Sequence, residues 1–178
     1  ERIAGFLQQD CGVRAGDRVL LYMQNSPQWV LACYAILRAN AVVVPVNPMN
    51  RGEELRHYVA DSGASTAFVA QDLLAQIEPQ LGQGLQHLIV ATYSDHLRAA
   101  TDLPVPEFVS AAPMALQDRQ GLHAWAEMLA AARTPGPLTV GPDDLCLMPY
   151  TSGTTGHPKG CMHTHRSVMS TLVGGIAW

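Results

Sequence analysis

With 178 residues, 48% of them hydrophobic and 15% charged, the chain has enough apolar material for one domain with a true core, which excludes intrinsic disorder. A net charge of −4 at pH 7 argues against a general nucleic-acid binder, although a handful of donors can still hold one phosphate in an acidic protein. The cysteines Cys11, Cys33, Cys146 and Cys161 form no C-x-x-C unit and no disulfide spacing, as expected of reduced, mostly buried thiols in a cytoplasmic protein.

Ile3, Phe6 and Leu7 recur at helical spacing in residues 2–10, and Gly16-Asp17 marks a turn. Arg18 to Met23 reads as a short strand. Ser26 caps a helix that starts at Pro27 and runs to about Ala39. Ala41 to Val46 is β-branched and apolar, the pattern of a strand buried on both faces. The stretch from Trp29 to Val46 is the nearest approach to a membrane span, but Arg38 and Asn40 interrupt it and Pro45 lies near its end, so a helix followed by a strand is expected instead. There is no basic segment followed by an apolar run at the start, hence no secretory signal.

Asn50 and Glu53 have the spacing of a capping box for the next helix, which carries Leu55, Tyr58 and Val59 and ends at Ser62-Gly63. Ser65 to Ala70 is a third strand, Asp72 to Leu81 a helix, and Gln86 to Ala91 a fourth strand. Residues 92–115, with Pro104, Pro106 and Pro113, read as irregular. Residues 121–132 fit an amphipathic helix, and Arg133 to Pro142 a Pro/Gly linker. Leu145 to Tyr150 is the next strand. Cys161 to His163 is a further short one, and Thr164 is placed to cap a helix from His165. Strands alternating with helices predict an α/β fold with a mostly parallel sheet flanked by helices.

Between Tyr150 and Gly160 lies the sequence Tyr-Thr-Ser-Gly-Thr-Thr-Gly-His-Pro-Lys-Gly. It gathers four hydroxyls (Thr151, Ser152, Thr154, Thr155), three glycines and Lys159, the only lysine of the chain; the other ten Lys/Arg positions are arginine. Backbone N–H groups at glycine can approach phosphate oxygens closely, hydroxyls add donors that reorient, and an ammonium supplies a mobile point charge. The segment is not a Walker A loop, because Pro158 precedes Lys159 and Gly160 comes after it.

The segment closely resembles the phosphate-binding signature of the adenylate-forming superfamily, Tyr/Phe-Thr-Ser-Gly-Thr-Thr-Gly-x-Pro-Lys-Gly. That group includes acyl- and aryl-CoA synthetases and the adenylation domains of nonribosomal peptide synthetases. Thr164-His165-Arg166, just downstream, is similar to the residues at the same place in acyl-CoA synthetases. Gly16-Asp17-Arg18-Val19, Asn25-Ser26-Pro27 and Pro45-Val46-Asn47-Pro48 with Glu54-Leu55 keep the usual N-terminal order. Asn40 departs from the pattern, standing where glycine is usual; both residues tolerate a left-handed backbone.

The resemblance implies that residues 1–178 are the N-terminal part of the AMP-binding (adenylation) domain of a longer enzyme. Such an enzyme uses ATP, Mg²⁺ and coenzyme A to turn a carboxylic acid, here a medium- or long-chain fatty acid, into an acyl-CoA. Carried over by position, Thr151, Ser152, Gly153, Thr154, Thr155, Gly156 and Lys159 hold the β- and γ-phosphates of ATP. No other residue here is assigned to catalysis, and His165 is placed near the acyl or adenylate pocket. The partners implied are small molecules and the enzyme's own C-terminal domain, with no nucleic acid and no transmembrane segment.

An aryl-CoA ligase, a peptide-synthetase adenylation domain and a non-catalytic nucleotide-binding module remain alternatives. The aromatic-Gly-x-Thr-Glu motif whose Glu the resemblance assigns to Mg²⁺ does not occur in this sequence. Lys159, as the lone lysine, cannot also be the catalytic lysine of the C-terminal domain, so the chain alone is expected to be inactive. Cys161, His163 and His165 offer metal-ligand types but no fourth ligand, so no metal is expected there. Trp29, Trp125 and Trp178 are read as packing, and Asp143-Asp144 as capping or solvating the start of the adjoining strand.

Overall fold

The computed structural model of the chain describes residues 1–97, 99, 101–116, 119–151 and 158–176. Its strands are β1 (Arg18–Tyr22), β2 (Val42–Val46), β3 (Thr66–Ala70), β4 (His87–Ala91), β5 (Leu122–Ala124), β6 (Leu145–Leu147), β7 (Tyr150–Thr151), β8 (Lys159–Gly160) and β9 (His163–Thr164). Seven of them form a central sheet in the order β5-β4-β3-β1-β2-β6-β9, and β7 pairs with β8. In the central sheet all neighbours are parallel except β6 and β9. Val19, Leu20, Leu21 and Tyr22 of β1 are fully buried between β2 and β3, and Ala67, Phe68 and Val69 of β3 are fully buried between β1 and β4. Each large side chain so buried contributes roughly 1.5–3 kcal/mol of transfer free energy, which is why these strands read as continuous apolar runs.

The helices are α1 (Arg2–Gln9), α2 (Pro27–Arg38), α3 (Gly52–Ser62), the single turn α4 (Leu74–Ile77), α5 (Glu107–Ser110), α6 (Trp125–Ala130) and α7 (His165–Ile176). Direction along the sheet sorts them between its faces. The steps β1 to β2 and β5 to β6 run one way, and β2 to β3 and β3 to β4 run the other. Right-handed crossovers then place α2 and α6 on one face and α3 and α4 on the opposite face. Contacts agree: α1 packs on α2 and α6, and α3 packs on α4. No helix among the described residues is long and apolar enough to cross a membrane.

Several local expectations are corrected. The α3 cap sits one residue later than the Asn50/Glu53 spacing suggests: Arg51 is the N-cap, and its N–H donates to the Glu54 carboxylate at 3.0 Å. The helix expected from Asp72 to Leu81 is broken into a 3₁₀ turn (Gln71–Leu73), α4 and a second 3₁₀ turn (Glu78–Gln80), because Pro79 has no N–H to continue the ladder. Residues 121–132 are not one helix. Leu122–Ala124 adds β5 to the sheet edge beside β4 before α6 begins. The irregular stretch 92–115 contains a 3₁₀ turn (Tyr93–His96) and α5. Tyr150 belongs to β7 rather than to the end of β6, and the strand expected at Cys161–His163 is instead β9.

The expected linker from Arg133 to Pro142 is a strap bound to the body. Arg133 grips the Asp10 carboxylate through two bonds of 2.8 Å, holding that carboxyl below the usual range. Gln9 donates to Thr134 O at 2.6 Å, and Arg38 donates to Gly136 O at 2.9 Å. Asn40, at φ 63°, donates to Pro137 O at 3.0 Å and accepts from Thr139 N–H at 2.8 Å. Gly5 is needed for this packing, since a Cβ there would lie 2.6 Å from the carbonyl carbon of Arg133.

Candidate phosphate-binding site

In a doubly wound sheet the ligand crevice lies beyond the carboxyl ends of the strands, where the strand order reverses. Here the order reverses about β1, and the chain later returns beside β2 as β6. The carboxyl end of β6 leads through Met148 and Pro149 into β7, so the hydroxyl- and glycine-rich segment leaves the sheet at that edge. Met148 N–H donates to Val43 O at 2.8 Å and fixes the exit.

The two ends of the segment are tied to each other. Tyr150 pairs with Gly160 and Thr151 with Lys159 in an antiparallel ladder. Thr151 and Lys159, both exposed, therefore stand opposite one another at the base of a hairpin. Ser152, Gly153, Thr154, Thr155 and Gly156 lie outside the described residues, as does His157. Gly160 permits the closure, because a Cβ there would meet Met148 Cγ at 3.0 Å and Tyr150 Cζ at 3.3 Å.

Helix α3 clamps this base from one side. His57, Tyr58 and Asp61 fall on one helical face by their i, i+1, i+4 spacing. The Tyr150 hydroxyl donates to Asp61 Oδ2 at 2.6 Å, and its ring lies 4.4 Å from that of Tyr58, centroid to centroid. Burial first, and then the Asp61 carboxylate it donates to, keeps the Tyr150 phenol protonated well above the usual tyrosine range. His57 Nε2 is 2.8 Å from Pro158 O, and since a carbonyl can only accept, Nε2 carries the proton. One strand end of the hairpin thus hangs on Asp61 and the other on His57. None of these three α3 residues stood out in the sequence as a site residue. Their shared helical face was the only signal.

His165 opens α7, its N–H donating to Asp144 O at 3.1 Å, while Thr164 Oγ1 accepts from Ser167 N–H at 3.2 Å as the cap expected from sequence. The start of α7 is further tied to the turn before β6 by the two-pronged Arg166–Asp143 pair at 2.7 and 3.0 Å. His165 lines an open, mainly apolar groove of about 920 Å³ with Tyr34, Arg38, Val140, Met169 and Val173. Cys161, whose N–H donates to Pro149 O at 2.8 Å, is half-buried and belongs to the same turn.

A mostly parallel sheet flanked by helices defines the broad class of doubly wound α/β proteins. The chain belongs to the AMP-binding enzyme family, whose family model matches residues 1–177. A long-chain-fatty-acid–CoA ligase of Escherichia coli O6:H1 is 36% identical over 95% of this chain and 31% of its own length. A 4-coumarate-CoA ligase 2 of Narcissus pseudonarcissus is 30% identical over 96% of this chain and 28% of its own. The crystal structure of a long-chain-fatty-acid-CoA ligase from Archaeoglobus fulgidus superposes with a TM-score of 0.69 at 29% identity, covering 92% of this chain and 28% of that one. The chain therefore spans about a third of the length of the relatives it matches.

Proposed function

We propose that the protein containing this chain is an AMP-forming acid–CoA ligase acting on medium- or long-chain fatty acids, and that residues 1–178 form the N-terminal part of its adenylation domain. The observation that carries this reading is the hairpin base: Thr151 and Lys159 face each other beyond the carboxyl end of β6, anchored by Tyr150–Asp61 and His57–Pro158. In this reading Thr151, Ser152, Gly153, Thr154, Thr155, Gly156 and Lys159 take the β- and γ-phosphates of ATP.

The substrate carboxylate attacks the α-phosphorus and the bond to the bridging oxygen of pyrophosphate breaks. The loop orients that leaving group and offsets the charge it gains. The thiol of coenzyme A then attacks the acyl carbon, loses its proton and expels AMP. The groups at the hairpin base are a hydroxyl and an ammonium, both able to donate to phosphate oxygens, and no carboxylate stands in that pair. Mg²⁺ would therefore arrive on the nucleotide and neutralise phosphate charge there, with no ligand assigned to it here. The resemblance assigns a further catalytic lysine to a second domain, and Lys159 is the only lysine of this chain, so residues 1–178 alone are expected to show no turnover.

The identity to fatty-acid ligases supports the fatty acid. The 4-coumarate ligase relative favours a second reading in which an aryl acid is the substrate. Lys159→Ala in the full-length protein tests the shared part. Acid-dependent ATP–pyrophosphate exchange is expected to slow by about 10²-fold, as for removal of one preorganised charge-stabilising donor. Unchanged exchange would remove Lys159 from the site.

A further inference from the structure

At the other end of the sheet three ligand-type side chains from distant parts of the chain converge. Cys11 lies just after α1, His87 is the first residue of β4, and His123 is the middle residue of β5. His87 and Ile89 point to the same face by strand alternation, and Ile89 is in register with His123, so both imidazoles lie on one face of the sheet. On that face α1 packs, with the Phe6 ring edge-on to His123 at 5.2 Å and Cys11 buried just beyond the helix. One ring nitrogen of each histidine and the Cys11 sulfur all lie within 4.8 Å of one another, and His87 Nδ1 is 3.0 Å from His123 Nε2.

We infer that Cys11, His87 and His123 bind Zn²⁺ in an open site, three protein ligands with water in the fourth position; unlike Cys161, His163 and His165, they are the trio whose ligand atoms converge among the described residues. Thiolate with two imidazoles is a donor set for a borderline-soft ion and a poor one for Mg²⁺ or Ca²⁺. Tetrahedral zinc with bonds of roughly 2.0–2.3 Å needs its ligand atoms about 3.3–3.6 Å apart, so the trio has to close by only about 1 Å at its widest. Binding replaces the proton shared by the two imidazoles and the proton of the Cys11 thiol with the metal. Asp10, next in the chain, is engaged by Arg133, which leaves the three neutral side chains as the first ligands. The site stands at the amino-end side of β4, whereas the hairpin leaves the carboxyl end of β6. Its role is therefore to fasten α1 to the β4–β5 edge, independently of whether the protein activates acids.

The test uses the full-length protein freed of metal by chelation, then titrated with Co²⁺ and with Zn²⁺. One Co²⁺ per chain is expected, with a thiolate-to-cobalt charge-transfer absorption that Zn²⁺ abolishes. Saturating Zn²⁺ is expected to raise Tm by roughly 5 °C. Cys11→Ser should lose the charge-transfer band, and His123→Gln should weaken Zn²⁺ binding at least tenfold; chelation should not change pyrophosphate exchange measured with Mg²⁺. If the variants fail to fold, the wild-type protein decides. Absence of a thiolate band there, or a band that persists in a folded Cys11→Ser protein, overturns the site and leaves a packed Cys–His–His cluster.

Discussion

Tyr150 shows how one side chain links fold and site: it is the first residue of the hairpin, and its hydroxyl reaches Asp61 on α3. Tyr150→Phe keeps the ring against Tyr58 and removes only that bond. Such a bond is worth about 1 kcal/mol when partly exposed, and the apparent KM for ATP should rise roughly fivefold with little change in Tm. Asn40 is a residue-scale departure with a structural reason. It takes the left-handed φ that glycine usually supplies and adds three side-chain hydrogen bonds to the strap, which glycine cannot make. Asn40→Gly should cost about 1 kcal/mol through those bonds, and Asn40→Ala about 1 kcal/mol more through backbone strain, both read by denaturant melts. Thiol chemistry depends on burial: Cys11 is pushed up to about 12, and Cys33 and Cys146 are also raised. A raised value means less thiolate at a given pH, so all three should resist iodoacetamide at pH 8 in the folded protein and react on unfolding, as peptide mass spectrometry would show.

Among the elements, those stabilised by their own residues were legible and those defined by partners were not. Ser26 with Pro27, the β-branched run of β2 and the apolar β1 carry their structure in local chemistry. By contrast, Leu122–Ala124 reads as the start of a helix because Leu122, Trp125, Met128 and Leu129 have helical spacing. Pairing with β4 makes it a strand, and that information lies over thirty residues away. The strap after Arg133 reads as a linker because Pro and Gly dominate it; its partners Gln8, Gln9, Asp10, Arg38 and Asn40 are also remote. At the site, the signature residues could be picked out from the sequence, but the clamp of His57, Tyr58 and Asp61 could not. A helix face carries no label saying which loop it supports. The Cys11, His87 and His123 trio was missed for the same reason, since no spacing along the chain announces it. Gly5→Ala tests the strap directly. A Cβ would collide with backbone at Arg133, and a loss of roughly 1–3 kcal/mol in stability is expected from chemical unfolding.

For the whole molecule, the family model matches residues 1–177, while the chain covers about a third of its relatives' length. The exposed Met169, Leu172, Val173 and Ile176 of α7 form an apolar stripe beside the groove that His165 lines. The hairpin is proposed to grip the leaving group of an acid-activating reaction. The most direct measurement is ATP–pyrophosphate exchange by the full-length protein across fatty acids of increasing length and a set of aryl acids. Exchange that requires a carboxylic acid and is fastest with medium- or long-chain fatty acids is the predicted result, whereas no acid-dependent exchange with any member of the panel would contradict it.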